Sequence, residues 1–211
     1  FEGGERSNSI PSGATALVLS DKELKSECEN LSVKKLGMGD EILENGEKIL
    51  ALINSFSQGV RAYNCELGIP QDSVNLSLAK IKDDGTLEVE FFARSMSKDG
   101  LNRMEFEISE LAKAVGFNVI SKDRNPAWKP INDKFANDIL EELKIYKPNA
   151  RITAVHAGLE CGVLLEKKAD LSACSIGPNI YSPHSTREHC EVASALFIEK
   201  VVRGIVKKYN S

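Results

Sequence analysis

The sequence lacks several things, and each shortage narrows what the chain can be. No apolar run approaches the ~20 residues needed to cross a bilayer, so no membrane-spanning helix and no membrane partner are expected. No basic segment followed by an apolar one opens the chain, so no secretory leader is expected either. Lysines and arginines are scattered and the net charge is −4, which argues against a nucleic-acid partner. The one local basic run, Lys207–Lys208, reads as cations complementing a helix C-terminus. Internal repeats and low-complexity tracts are missing. The cysteines number five (Cys28, Cys65, Cys161, Cys174 and Cys190). That odd count matches no disulfide or zinc-finger framework, so they read as reduced thiols of a cytosolic protein, most of them small buried hydrophobes. Only three histidines occur.

What is present suits a globular protein. The chain has 211 residues, 42% hydrophobic and 27% charged, enough for a real core in one large domain or two small ones. It begins at Phe1 without Met, in a stretch that reads as a strand. The expectation is therefore a piece of a longer protein.

Periodicity predicts the elements. Residues 1–20 read as two short extended pieces around Ile10-Pro11-Ser12-Gly13. A short helix is predicted at Asp21–Leu31. A second follows at about Asp40–Phe56, with Asp40 as N-cap and Gly59 as stop. Ser73–Ile81 and Leu87–Ala93 alternate about a Lys82–Gly85 turn, the clearest hairpin in the chain. Leu101, Met104, Ile108, Leu111 and Val115 define an amphipathic helix ended by Gly116. Phe117–Ile120 reads as another strand. After an aperiodic connection at 122–132 come helix Asp133–Tyr146, strand Arg151–Val155, a short helix near Glu160–Lys168, strand Leu171–Ile176 and a long helix at about Thr186–Tyr209. The expected fold class is α/β: an α+β unit over 1–122 and an α/β unit over 123–211.

Chemistry is expected where the late strands end, because ligand sites in α/β sheets gather outside the carboxyl ends of strands. His156 and Gly158 follow one predicted strand, and His184 follows the other. A neutral imidazole at His184 suits a metal, yet no set of Asp, Glu or His in the chain completes a site around it. An exposed or structural loop histidine is the plainer alternative. Gly158 precedes a helix N-terminus, where free N–H groups suit a carbonyl oxygen or carboxylate. A tight turn that simply needs glycine explains it equally well. Arg94 ends the hairpin, and its guanidinium fits a carboxylate bidentately, although a structural ion pair accounts for it too. Cys161 at a helix N-terminus raises a thiol nucleophile as a further possibility, without an oriented base beside it.

The motifs GGERSNSIP (Gly3–Pro11), DSVNLS (Asp72–Ser77), ARS (Ala93–Ser95), NPAWKP (Asn125–Pro130), HAGLECG (His156–Gly162), SIGP (Ser175–Pro178) and PHSTRE (Pro183–Glu188) run in order over essentially the whole chain. In them the sequence resembles the aminoacyl-histidine dipeptidases, also called Xaa-His or cytosolic non-specific dipeptidases, of the dinuclear zinc exopeptidase superfamily. HAGLECG followed at this interval by SIGP and PHS is the specific part. The resemblance implies a cytoplasmic metallopeptidase, a hydrolase of dipeptides, in which a lid domain used for homodimer contacts is inserted into a zinc-binding catalytic domain. Residues 1–122 would then be lid, and 123–211 would return to the catalytic domain. It implies that His184 is a zinc ligand and that Arg94 grips the substrate's C-terminal carboxylate. Asn8 and the Gly158 main chain would hold a carbonyl oxygen, with Glu160 in the same substrate-binding motif. It also implies two zinc ions sharing a water, with a glutamate as general base. The other ligands and that base belong to an N-terminal half outside these 211 residues. No catalytic residue is therefore expected in this chain, which by itself is expected to be inactive. PHSTRE departs from the more usual HSPDE. A stand-alone dimerisation or binding module without catalysis is the alternative, and a cysteine hydrolase using Cys161 is a third reading.

Overall fold

The computed structural model describes residues 1–37, 39, 42–168, 170–183 and 185–210. Helices and antiparallel strands mix, as the α/β reading expects. The chain divides into two compact units. One holds residues 1–62, 72–93 and 99–122, and the other holds 63–71, 94–98 and 123–211.

In the first unit the hairpin forms as its alternation predicts. β4 (Ile69–Ile81) pairs with β5 (Leu87–Ser95), and the same β4 pairs with β1 (Glu2–Gly3) and β3 (Gly59–Asn64). β1 also pairs antiparallel with β2 (Ala14–Thr15), Gly3 opposite Ala14, and reaches β4 at Ala79. Two helices complete the unit: α1 (Gly46–Ser55) and α2 (Lys98–Ala114), the latter assigned to it from Asp99. Ile49 and Leu52 of α1, Val74 and Ala79 of β4, and Met104 and Ala112 of α2 are the buried apolar side chains. Phe56, just past α1, meets Phe91 of β5 edge to face at 4.7 Å. α2 stops where Gly116 takes φ +90°, with Phe117 N–H donating to Ala112 and Gly116 N–H to Lys113. The buried polar groups are paired. Asp72 accepts from Arg103 at 3.0 Å, and the Ser77 hydroxyl donates to the Glu90 carbonyl.

The helix predicted at 21–31 does not form, and α1 begins at Gly46 rather than near 40. The predicted cap Asp40 lies outside the described residues. Leu24 and Leu31 remain about half exposed, so this stretch has no surface to pack on, and a short unpacked helix is marginal in water.

The second unit is built on α3 (Lys134–Tyr146) and α5 (Val192–Tyr209), which pack antiparallel. Phe135 meets Tyr209 at one end, and Tyr146 meets Phe197 at the other. Ala136, Ile139, Val201 and Ile205 are buried. Asp133 caps α3, its carboxylate accepting from Ala136 N–H at 2.9 Å. Next to this interface the nearly buried Asp138 receives hydrogen bonds from Lys134, Lys208 and Tyr209. The short α4 (Glu160–Lys167) follows the HAG turn, and a two-residue ribbon, β6 (Ile180–Tyr181) with β7 (His189–Cys190), precedes α5.

The strands predicted at 117–120, 151–155 and 171–176 are not strands here. A strand needs a ladder partner. Ile152 and Ile176 instead line a cavity of about 120 Å³ together with Ile139, Leu140 and Leu143 of α3. Among the described residues, no helix is long and apolar enough to cross a membrane.

Candidate functional site

The sequence-predicted residues fall in both units. Asn8 belongs to the first, in the exposed turn between β1 and β2, where Ser9 N–H and its hydroxyl both donate to the Arg6 carbonyl. Arg94, Gly158 and Glu160 belong to the second. His184, the expected metal ligand, lies outside the described residues.

Two motif pieces far apart in sequence meet. Arg94, near the end of β5 and half-buried, donates from Nη1 to the carbonyl oxygen of His156 at 3.1 Å. That carbonyl opens the HAGLECG turn. Ala157 and Gly158 follow it exposed, and Glu160 begins α4 with its carboxylate in the first turn, where the helix dipole favours an anion. Leu159, the N-cap residue, makes no side-chain cap hydrogen bond.

Gly158 itself is informative. Its backbone is not in the left-handed region, and a Cβ built there meets nothing within 4 Å. Neither a left-handed backbone nor packing against the described residues requires glycine at this position. No described atom would meet a side chain placed over the turn.

Cys161 does not have the surroundings of a nucleophile. It is buried, and burial pushes its thiol upward, with Glu160 adding to the effect. An attacking thiol needs the opposite shift. Cys174 is shifted up likewise, by burial first.

The PHS loop, 182–188, springs from the β6–β7 ribbon. Within it Ser185 donates from Oγ to the Ser182 carbonyl at 2.8 Å and accepts from Arg187 N–H at 3.1 Å. Sequence reasoning missed the residues that frame this loop, Tyr181 and His189. Their only signal was an aromatic residue and a histidine flanking PHSTRE.

Metal chemistry needs several donors at one point. Among the described residues no three of His, Cys, Asp and Glu gather to hold an ion. The described donors do not by themselves fit a zinc centre.

The fold so described resembles part of a solved dipeptidase structure. It matches the crystal structure of aminoacylhistidine dipeptidase from Vibrio alginolyticus with a TM-score of 0.57 at 23% identity, over 76% of this chain and 34% of that one. By sequence the chain is homologous to a cytosol non-specific dipeptidase. It is 25% identical to the "Cytosol non-specific dipeptidase" of Escherichia coli (strain K12), in an alignment covering 92% of this chain and 45% of that protein. The chain thus spans less than half the length of the relatives it matches. No protein-family model matches it.

Proposed function

We propose that the chain serves a metal-dependent dipeptidase that hydrolyses Xaa-His and other dipeptides in the cytoplasm, as a homodimer. Residues 1–122 act as lid and dimerisation domain, and 123–211 as part of the catalytic domain. The observation that carries this reading is the Arg94–His156 hydrogen bond. It brings the hairpin arginine onto the HAGLECG turn, so two of the motifs that define the resemblance are joined in three dimensions.

In this reading Arg94 receives the substrate's C-terminal carboxylate and the Gly158 main chain receives a carbonyl oxygen. The open space over Gly158 supports the second role, since a reacting group needs close approach to backbone N–H. Asn8 is assigned a substrate contact, and Glu160 the turn beside Gly158. His184 supplies one protein ligand to a two-zinc centre whose other ligands come from outside this chain. Zinc at such a centre supplies Lewis-acid activation of water and carbonyl.

The consequence is that the 211-residue polypeptide alone does not turn over dipeptides. The test is a purified-chain assay with Ala-His in the presence and absence of Zn²⁺. No metal-dependent turnover is expected. Robust cleavage abolished by chelation would overturn the claim that one half of a site is held here.

A further inference from the structure

α5 carries apolar residues on two sides. Its inner side packs on α3: Val201 and Ile205 are buried, and Phe197 meets Tyr146. At about 3.6 residues per turn, Val192, Leu196, Glu199, Arg203, Val206 and Asn210 share the opposite side. Val192, Leu196 and Val206 are each more than half exposed. Single exposed apolar residues need no explanation, but these stand in a row. The steps along it alternate between four and three residues, the a/d spacing of a coiled-coil seam. Packing on α3 does not require such a seam on the outer side.

The middle of the row is charged. Glu199 Oε1 accepts from Arg203 Nη2 at 2.7 Å and from its Nε at 2.9 Å. The side chains are 53% and 76% exposed, so this pair adds little to the stability of the chain itself. What it supplies is symmetry. Glu199 and Arg203 are equally far from Val201 along the helix, and so are Leu196 and Val206. Consider a second α5 laid antiparallel on the first about a two-fold axis at the level of Val201. Leu196 then shares a layer with the partner's Val206, and Glu199 shares one with the partner's Arg203. Each layer occurs twice, which is the self-complementarity that an isologous contact requires. A charged pair within an apolar seam also fixes register and orientation. The parallel arrangement would instead set Glu199 beside Glu199 and Arg203 beside Arg203, like charge against like charge.

We propose that the outer side of α5 is a self-association surface whose occupant is the α5 of a second copy, antiparallel to the first. This contact is additional to the dimerisation of residues 1–122. One helix side buries less than the ~1,200 Å² of a stable interface, so the dissociation constant expected is on the order of 100 µM.

Sedimentation equilibrium of the full 211-residue chain, over rising concentration, measures this step. Glu199→Arg and Arg203→Glu are each expected to weaken it about tenfold or more, since each sets like charges in one layer. Leu196→Gln is expected to weaken it through the apolar layer. Melting temperatures should stay close to the parent's, because all three positions are exposed. The decisive sample is an equimolar mixture of Glu199→Arg and Arg203→Glu. Neither chain has its internal pair there, yet opposite charges face each other across the contact, so association should return to about the parent's strength. A chain that stays monomeric would overturn the proposal and leave the face to a partner of another kind. Association indifferent to the charge reversals, as contacts through residues 1–122 alone would be, overturns it too. So does association that returns in the double variant but not in the mixture.

Discussion

Arg94 Nη1 donates to the carbonyl oxygen of His156 at 3.1 Å, tying the end of a hairpin strand to a turn 62 residues further along. Loss of this bond should loosen the turn before anything else. Arg94→Ala is expected to destabilise the second unit by roughly 1.5–3 kcal/mol, the range for a hydrogen bond with a charged partner. Arg94→Lys keeps the charge but not the planar fork, and should recover only part of the loss. Hydrogen exchange at residues 157–161 measures both. Equal exchange in parent and Arg94→Ala would show that the bond does not hold the turn.

Two glycines should respond in opposite ways to alanine. At Gly158 a methyl group meets open space, so Gly158→Ala should leave the melting temperature unchanged, within about 0.5 kcal/mol of stability. Any loss of substrate handling would then be a local effect on approach to the backbone. At Gly4, φ is +82° and a Cβ would stand 1.9 Å from the Ser77 carbonyl oxygen. Gly4→Ala should detach β1 and β2 from β4, read as lost protection at Ala79, while the β4–β5 hairpin persists. Intact β1 pairing in that variant would refute the prediction.

Asp138 makes the second unit sensitive to acid. Hydrogen bonds from Lys134, then Tyr209, then Lys208 hold its carboxyl well below the usual carboxylate range. A lowered folded-state pKa means stability that is complete at neutral pH and declines as pH falls below about 5. Lys134, Lys208 and Tyr209 are shifted upward, chiefly by their bonds to Asp138, so their share is lost only as pH rises through about 10 and beyond. Urea titrations across pH should show a plateau between these limits. Asp138→Asn should lower the plateau and flatten the acid side. An unchanged acid slope in that variant would contradict the assignment.

The thiols should react in order of exposure and thiolate character. Cys28, Cys65 and Cys190 are exposed, whereas Cys161 is buried and shifted upward. Iodoacetamide at pH 7.5 should label the first three well before Cys161. Preferential labelling of Cys161 would revive the cysteine-hydrolase reading.

Legibility in the sequence followed side-chain period. The α2 and α3 helices and the β4–β5 hairpin carry apolar residues at spacings that only one element satisfies, and they form close to the expected bounds. β3 was missed because Val60 and Tyr63 are both more than half exposed, leaving no alternation to read. The β6 and β7 strands are too short to have a period. Segments 151–155 and 171–176 have strand composition, but a strand is a relation between two segments, and composition records only one of them. The same limit applied to the site. Arg94 and the HAGLECG turn were legible as separate motifs. Their hydrogen bond was not, because it depends on tertiary placement.

One further consequence follows from how α5 is held. Its first turn is bonded through Ser194 to Asn179 at the base of the PHS loop, and its last turn is bonded through Lys208 and Tyr209 to Asp138 on α3. Between these anchors runs a single helix about 27 Å long. α5 therefore acts as a rod pinned at both ends. The base of the β6–β7 ribbon is therefore fastened to the same helix that Asp138 fastens to α3, so the two attachments share one element.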